Sequence, residues 1–217
     1  MIFLGLGTII FAYLLGSINF AVIFSKAFSK KDIRESGSGN AGATNVLRVN
    51  GIVPGVLTFV FDALKGFAAC IIGKEIFAAY ITPRISSIWT EPYSAAYICA
   101  VACMIGHIFP VFFTFKGGKG VAICVGIFAV CCPISIVIGL AVFTIIAVLT
   151  RYVSLASLAA TLVVITLATV FRNAETPLLI QVSSCIAMAA MIYIKHLSNI
   201  KRLINGTENK FGSSKKQ

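Results

Sequence analysis

Residues 121–149 read VAICVGIFAVCCPISIVIGLAVFTIIAVL, an uncharged apolar run that is interrupted by Pro133. A helix needs about 20 residues to cross the hydrocarbon core of a bilayer, so this run is too long for one helix. Proline lacks the backbone donor of a helix interior and breaks the helix there. We therefore predict two short helices around Pro133, which either span the membrane twice or form a re-entrant hairpin.

The rest of the chain has the composition of an integral membrane protein. Of its 217 residues 59% are hydrophobic and 12% are charged, and the mean hydropathy is +0.98. These values lie outside the range of soluble domains. Five further apolar runs each have the length of one helix, at residues 2–25, 52–73, 93–113, 153–171 and 178–194. We predict an all-α, seven-helix transmembrane bundle that forms one domain over residues 1–217, with a basic cytoplasmic tail at 195–217.

Charge placement predicts the orientation of this bundle. If the chain turns back at Pro133, 14 of the 18 Lys and Arg residues fall on one side, and the opposite side keeps Lys74, Arg84 and Arg172. Because basic loops favour the cytoplasm, the N-terminus is predicted outside and the C-terminus inside. The first run has no basic residue before it and no evident cleavage site, so we expect a retained helix. The net charge of +11 reflects this sidedness and not nucleic-acid binding.

The seven cysteines all lie within apolar runs and form no CxxC pair. This pattern predicts neither a disulfide framework nor a zinc site. We expect the cysteines to be small buried apolar residues, and we expect no metal.

A glycine-rich polar loop, SGSGNAGATNVLR, occupies residues 36–48 between two apolar runs. Glycine accepts positive φ angles that turn successive amides to one side, which suits an anionic ligand. A flexible connector is the alternative, although a mere linker has no need of the Ser, Asn and Arg side chains between these glycines.

A second polar cluster combines GHIFP at residues 106–110 with FKGGKG at 115–120. Two lysines bracket a glycine pair at a predicted helix N-terminus, where fixed charge, amides and the helix dipole suit phosphate. The Walker A pattern is absent, and snorkelling lysines at a short turn are the alternative. For His107, a structural role and a ligand contact both stay open.

Two further clusters are RYVSLAS at residues 151–157 and KHLSNIKRLINGTE at 195–208. On a continuing helix His196 and Asn199 are three residues apart and share a face. An amphipathic tail lying on anionic lipid is the alternative. Asp62 and Lys65, also three apart, are predicted to neutralise each other within a helix.

Together these segments resemble the bacterial acyl-phosphate:glycerol-3-phosphate acyltransferases of the PlsY type. The matching stretches are residues 16–19, 32–48, 62–66, 106–110, 116–121, 151–157, 196–203 and 206–208. The resemblance implies transfer of a fatty acyl group from acyl phosphate to the 1-hydroxyl of sn-glycerol 3-phosphate. The products would be 1-acyl-sn-glycerol 3-phosphate (lysophosphatidate) and phosphate, in the first step of phospholipid synthesis.

The resemblance also implies where and how such a protein works. We expect a multi-pass protein of the bacterial inner (cytoplasmic) membrane, with its active site facing the cytoplasm. Acyl phosphate and glycerol 3-phosphate are the expected partners, beside membrane lipid. We expect a functional monomer that needs no cofactor.

Site residues follow from the same resemblance. Those expected to be catalytic are Ser38, Arg48, Lys119, His196 and Asn199, and those expected to bind substrate are Asn40, Asn45, Lys116, Gly117, Gly118 and Ser154. Both substrates are anionic, so we expect Arg48, the two lysines and the amides of both glycine loops to hold them. The general base stays open between His196 and a substrate phosphate oxygen, and Ser38 lacks the adjacent base that a nucleophile needs.

A carrier or channel for anions is the competing class, because broken helices, glycine loops and intramembrane charges also occur in transporters. No internal repeat is apparent between the two halves of the chain. This absence weakens the carrier hypothesis without excluding it.

Overall fold

The computed structural model describes residues 1–85, 87–171 and 176–212. Within these ranges the chain forms ten α-helices, which confirms the all-α prediction. They are α1 (Ile2–Gly16), α2 (Phe20–Ser29), α3 (Ala43–Asn50), α4 (Ile52–Ile76), α5 (Pro92–Ile108), α6 (Val121–Cys131), α7 (Pro133–Thr150), α8 (Val153–Val170), α9 (Leu178–Lys195) and α10 (Leu197–Ile204). Arg172 and residues 213–217 of the predicted basic tail lie outside the described residues.

Six helical stretches are long and apolar enough to cross a membrane in the described part of the chain. They are Ile2–Ser29, Ile52–Ile81, Pro92–Phe113, Pro133–Thr150, Val153–Val170 and Leu178–Lys195. Helix α6 is apolar but has only 11 residues, or about 16 Å at 1.5 Å per residue.

The central run divides at Pro133 as predicted, but into unequal parts. Helix α6 is short, whereas α7 has 18 residues and the length of a span. The expectation of two short helices is therefore wrong for α7. Pro133 occupies the first turn of α7, where its missing N–H costs no hydrogen bond, so the proline begins a full helix.

The prediction of one helix over residues 2–25 is wrong, because α1 ends at Gly16 and α2 begins at Phe20. Oδ1 of Asn19 accepts a hydrogen bond from the amide of Val22 at 3.2 Å and caps α2. The ammonium of Lys65 donates to the carbonyls of Gly16 and Ile18 at 3.0 and 2.7 Å. A break in an apolar helix is stable when the freed backbone groups find such partners.

Small residues bring the helix backbones into direct contact at the centre of the bundle. A Cβ atom on Gly126 of α6 would lie 1.8 Å from the carbonyl oxygen of Ala63 on α4. A Cβ atom on Gly106 of α5 would lie 2.1 Å from the carbonyl oxygen of Tyr13 on α1. This packing through small residues is typical of membrane bundles. The seven cysteines are buried and free, as predicted.

The chain leaves one end of the bundle through α6 and returns to the same end through α7. Lys119, just before α6, and Ser154, at the start of α8, line the same cavity. Residues of the first glycine loop and of the α9–α10 junction line it as well. The fold therefore brings the four polar segments of the sequence to one end of the bundle.

Single introduced cysteines will report this arrangement, because all seven native cysteines are buried. We predict that a membrane-impermeant maleimide labels Trp89→Cys in intact cells, and labels Lys31→Cys, Lys116→Cys and Asn205→Cys only after permeabilisation. All four positions are exposed. The unsubstituted protein serves as the control. Labelling of Lys116→Cys and Asn205→Cys from opposite sides would contradict the return of the chain through α6 and α7.

Candidate active site

A cavity of about 200 Å³ opens at the end of the bundle where the polar segments meet. Eight of the eleven predicted site residues line it: Ser38, Asn40, Asn45, Arg48, Lys119, Ser154, His196 and Asn199. The same cavity continues between α4, α6, α7 and α8 along apolar side chains. It therefore joins a polar, cationic end to an apolar groove.

The second glycine loop contributes less to this cavity than expected. Lys116 and Gly117 line a separate recess with Arg34 and Glu35, and Gly118 lines neither space. The amides of Gly117 and Gly118 donate to the carbonyls of Ile108 and His107, each at 3.2 Å. The prediction that these amides hold an anion is wrong, because the last carbonyls of α5 already occupy them.

Asn45 organises the first glycine loop. Its Oδ1 accepts from the amide of Ser38 at 3.0 Å, and its Nδ2 donates to the carbonyls of Ile33, Ser36 and Asn40 at 3.0–3.2 Å. Gly37 has a φ of 60°, and a Cβ there would lie 2.3 Å from Oδ1 of Asn45. The side chain of Asn45 is thus committed to the loop, and it shapes the cavity wall.

Three helices begin at the cavity, and first-turn residues of each helix line it. The first-turn residues that line it are Ala43 and Thr44 of α3, Val121 and Ala122 of α6, and Val153 and Ser154 of α8. Within the described ranges none of these six amides has a hydrogen-bond acceptor. Free amides and the positive ends of three helix dipoles make this region attractive to anions.

Two cationic side chains, Arg48 on α3 and Lys119 before α6, add full charge to these partial charges. The ammonium of Lys119 donates to Oδ1 of Asn199. Nδ2 of the Asn199 side chain in turn donates to Oε1 of Glu208 at 2.8 Å, and Nε of Arg202 donates to Oε2 of Glu208 at 2.7 Å. Lys119 is therefore held at the end of a network that Glu208 organises.

Sequence reasoning assigned no role to Glu208, although its Gly-Thr-Glu context was part of the resemblance. The side chain is 7% exposed and lies in the cavity wall. Its partners come from α10, and only the fold of the tail places it there. The amide of Phe211 donates to the carbonyl of Arg151 at 2.7 Å, which fixes this part of the tail across the α7–α8 loop.

Burial sets the protonation of two groups in the cavity wall. It lowers the pKa of Lys119 to about 8, with Arg202 and Arg48 acting in the same direction and Glu208 opposing them. Burial also lowers the pKa of His196 to about 4, so its imidazole is neutral near pH 7. Nδ1 of His196 lies 2.8 Å from the carbonyl of Ile192. A carbonyl only accepts, so Nδ1 carries the proton and Nε2 is an acceptor.

Three buried polar side chains also lie in the cavity wall. Oγ of Ser154 has no hydrogen-bond partner among the described residues, so it is available to a ligand. Asp62 and His107 line the cavity although sequence reasoning did not include them in the site. Lys65 lies 2.8 Å from Asp62, which confirms the predicted neutralisation of this pair.

Residues 6–206 match the glycerol-3-phosphate acyltransferase family model. The chain is 42% identical over 203 residues to glycerol-3-phosphate acyltransferase 2 of Bacillus anthracis, which covers 94% of this chain and 97% of that one. It is 38% identical over 219 residues to the glycerol-3-phosphate acyltransferase of Francisella philomiragia. This match covers 100% of this chain and 97% of the other.

The fold is similar to solved structures of PlsY, an integral membrane glycerol 3-phosphate acyltransferase. Its glycerol 3-phosphate form gives a TM-score of 0.81 at 38% identity and covers 96% of both chains. Its lysophosphatidic acid form gives a TM-score of 0.79 at the same identity.

The lowered pKa of Lys119 predicts how anion affinity depends on pH. A phosphate monoester, with a second pKa of about 6, keeps its charge between about pH 7 and 9.5. Lys119 loses its positive charge as the pH rises through about 8, so affinity for a phosphate monoester should fall there. Isothermal titration across this range measures the effect. Lys119→Arg is the matched control, because its guanidinium stays protonated and the fall should disappear. An unchanged pH dependence in that variant would contradict the assignment.

Proposed function

The chain belongs to the glycerol-3-phosphate acyltransferase family, and we propose that it transfers a fatty acyl group from an acyl phosphate to the 1-hydroxyl of sn-glycerol 3-phosphate. The products are 1-acyl-sn-glycerol 3-phosphate and inorganic phosphate, which makes this the first step of phospholipid synthesis. The observation that carries the proposal is the single cavity that joins an anion-binding end to an apolar groove.

The groove suits the acyl chain of such a donor. Its lining includes Phe59, Val125, Phe128, Leu140, Phe143 and Val164, contributed by α4, α6, α7 and α8. Apolar surface that leaves water on binding contributes about 25 cal/mol per Å². The acyl chain therefore supplies binding energy away from the reacting carbon and fixes the phosphate end of the donor at the cationic end of the cavity.

The cationic end suits two phosphorylated reactants. Arg48 and Lys119 carry full positive charges, and the N-termini of α3, α6 and α8 add partial ones. We assign Arg48 to phosphate binding and Lys119 to phosphate or to the negative charge that develops on the carbonyl oxygen. His196 and Asn199 orient glycerol 3-phosphate, while Ser38, Asn40 and Ser154 offer hydrogen bonds to the substrates.

In the reaction, the 1-hydroxyl oxygen forms a bond to the acyl carbon. The bond from that carbon to the phosphate oxygen then breaks, and phosphate leaves with the electron pair. The hydroxyl proton passes to a phosphate oxygen of a bound substrate. The protein contributes positioning and charge stabilisation, since the acyl phosphate is already activated.

The environment of His196 supports this substrate-assisted route over a histidine base. Burial holds the pKa of its imidazole near 4, which makes the neutral ring a weak base at pH 7. Its Nδ1 is committed to Ile192, and the nearby charge of Lys119 further disfavours a second proton. Nε2 remains able to accept a hydrogen bond from a glycerol hydroxyl.

Orientation and location belong to the same proposal. We place the active site at the cytoplasmic face of the bacterial inner membrane, with the N-terminus outside and α6 counted as the seventh membrane segment. The distribution of Lys and Arg residues supports this sidedness. The proposal also includes a single domain over residues 1–217 that acts as a monomer and needs no cofactor.

The direct test is incubation of the purified protein with palmitoyl phosphate and radiolabelled glycerol 3-phosphate. We expect labelled lysophosphatidate as the product.

In the same assay we expect Arg48→Ala to lose nearly all activity, while the variant still inserts and remains helical. Lys30→Ala, which changes an exposed cation outside the cavity, is the matched control and should keep its activity. More than about a tenth of the wild-type rate in Arg48→Ala, only about 1.4 kcal/mol of barrier, would count against the role of Arg48. Uptake of label into proteoliposomes without acylation would support a carrier instead.

His196→Gln separates the two candidate bases, because glutamine keeps a hydrogen-bonding group but cannot titrate. If a phosphate oxygen takes the proton, the rate constant should fall by less than about 100-fold. Steady-state kinetics with both substrates varied provides the measurement. A loss of several orders of magnitude at unchanged substrate affinity would identify His196 as the base.

A further inference from the structure

A buried cluster of charged and polar side chains lies at the cavity wall and joins α1, α4 and α5. Lys65 on α4 lies 2.8 Å from Asp62 and donates to the carbonyls of Gly16 and Ile18 at the α1–α2 break. Nδ1 of His107 on α5 lies 3.6 Å from the same Asp62 oxygen. The three side chains are at most 4% exposed. Charges this deeply buried are costly unless they are paired, as Lys65 and Asp62 are, whereas Nδ1 of His107 has no hydrogen-bond partner among the described residues.

His107 supports the second glycine turn with both its backbone and its side chain. Its carbonyl accepts the amide of Gly118 at 3.2 Å. A Cβ on Gly118 would lie 2.4 Å from Nε2 of His107 and 2.8 Å from the carbonyl oxygen of Ala41. Gly118 is therefore enclosed between the imidazole of His107 and the first glycine loop, with no room for displacement toward either.

Lys119 follows Gly118 directly and carries its ammonium to Asn199 in the cavity wall. A shift of the glycine turn would move that ammonium relative to Arg48 and to the helix N-termini. The imidazole occupies the space into which the turn could relax. The position of Lys119 thus depends on the imidazole of His107, which packs against the preceding Gly118.

We propose that His107, through its contact with Gly118, is a positioning residue that fixes Lys119 against the first glycine loop for acyl transfer. This inference rests on the function proposed above. In this role His107 affects the reaction only through the position of Lys119. A direct contact between His107 and the substrate would instead affect the reaction independently of Lys119. The two alternatives differ in how the loss of His107 combines with the loss of Lys119.

A double-mutant cycle with His107→Ala and Lys119→Met distinguishes them. A displacement of about 1 Å in a catalytic group can cost about 100-fold in rate, so His107→Ala alone should lose about that factor. On the Lys119→Met background His107→Ala should cost less than about threefold, because the group it positions is already absent. Affinity for glycerol 3-phosphate, measured by titration without a donor, should show the same non-additivity. Cys103→Ala, a buried change one turn earlier on α5, is the matched control and should leave the rate unchanged.

A second substitution keeps the test informative if His107→Ala does not fold. His107→Gln keeps a polar side chain of intermediate size but removes the ring whose Nε2 faces Gly118. This variant should also lose activity on the wild-type background and lose little further on Lys119→Met.

Additive losses in an active wild-type background would overturn the positioning role and favour a direct substrate contact by His107. Absence of acyl transfer by the wild-type protein, with glycerol 3-phosphate still bound and the non-additivity in affinity retained, would overturn the proposed reaction and leave the positioning role standing.

Discussion

In the proposed function, repulsion between two phosphorylated substrates is the constraint around which the site is arranged. Two unit charges about 4 Å apart repel by about 4 kcal/mol at an effective dielectric constant of 20. The bundle opposes this with Arg48, Lys119 and the N-termini of α3, α6 and α8 at one end. Helix N-termini are suited to this place, because their amides are fixed by the fold before any ligand arrives.

The same convergence depends on where the helices break. The short α6 allows the chain to leave the cavity and come back through α7, so that α6 and α8 both begin at it. At the α1–α2 break, Lys65 occupies the exposed carbonyls and thereby ties α1 to α4. Broken helices thus create the cationic end of the cavity, while α4, α6, α7 and α8 enclose its apolar groove.

The sequence was sufficient to predict the all-α membrane class, the break at Pro133, the neutralised Asp62–Lys65 pair and eight residues that line the cavity. Apolar periodicity and residue type carry that information. It was insufficient for features that depend on partners distant in the chain. The Gly117 and Gly118 amides look free until the last carbonyls of α5 are seen to accept from them, and Glu208 gains a role only when the tail folds back to Asn199 and Arg202. The break after Gly16 was hidden because its stabilising cation, Lys65, lies on another helix.

The most direct test of the account is an experimental structure of this protein with glycerol 3-phosphate bound. The account predicts that the phosphate lies within hydrogen-bond distance of Arg48 or Lys119 and of at least one amide at the start of α3, α6 or α8. A phosphate bound away from both cations, or held in the recess beside Lys116, would contradict it.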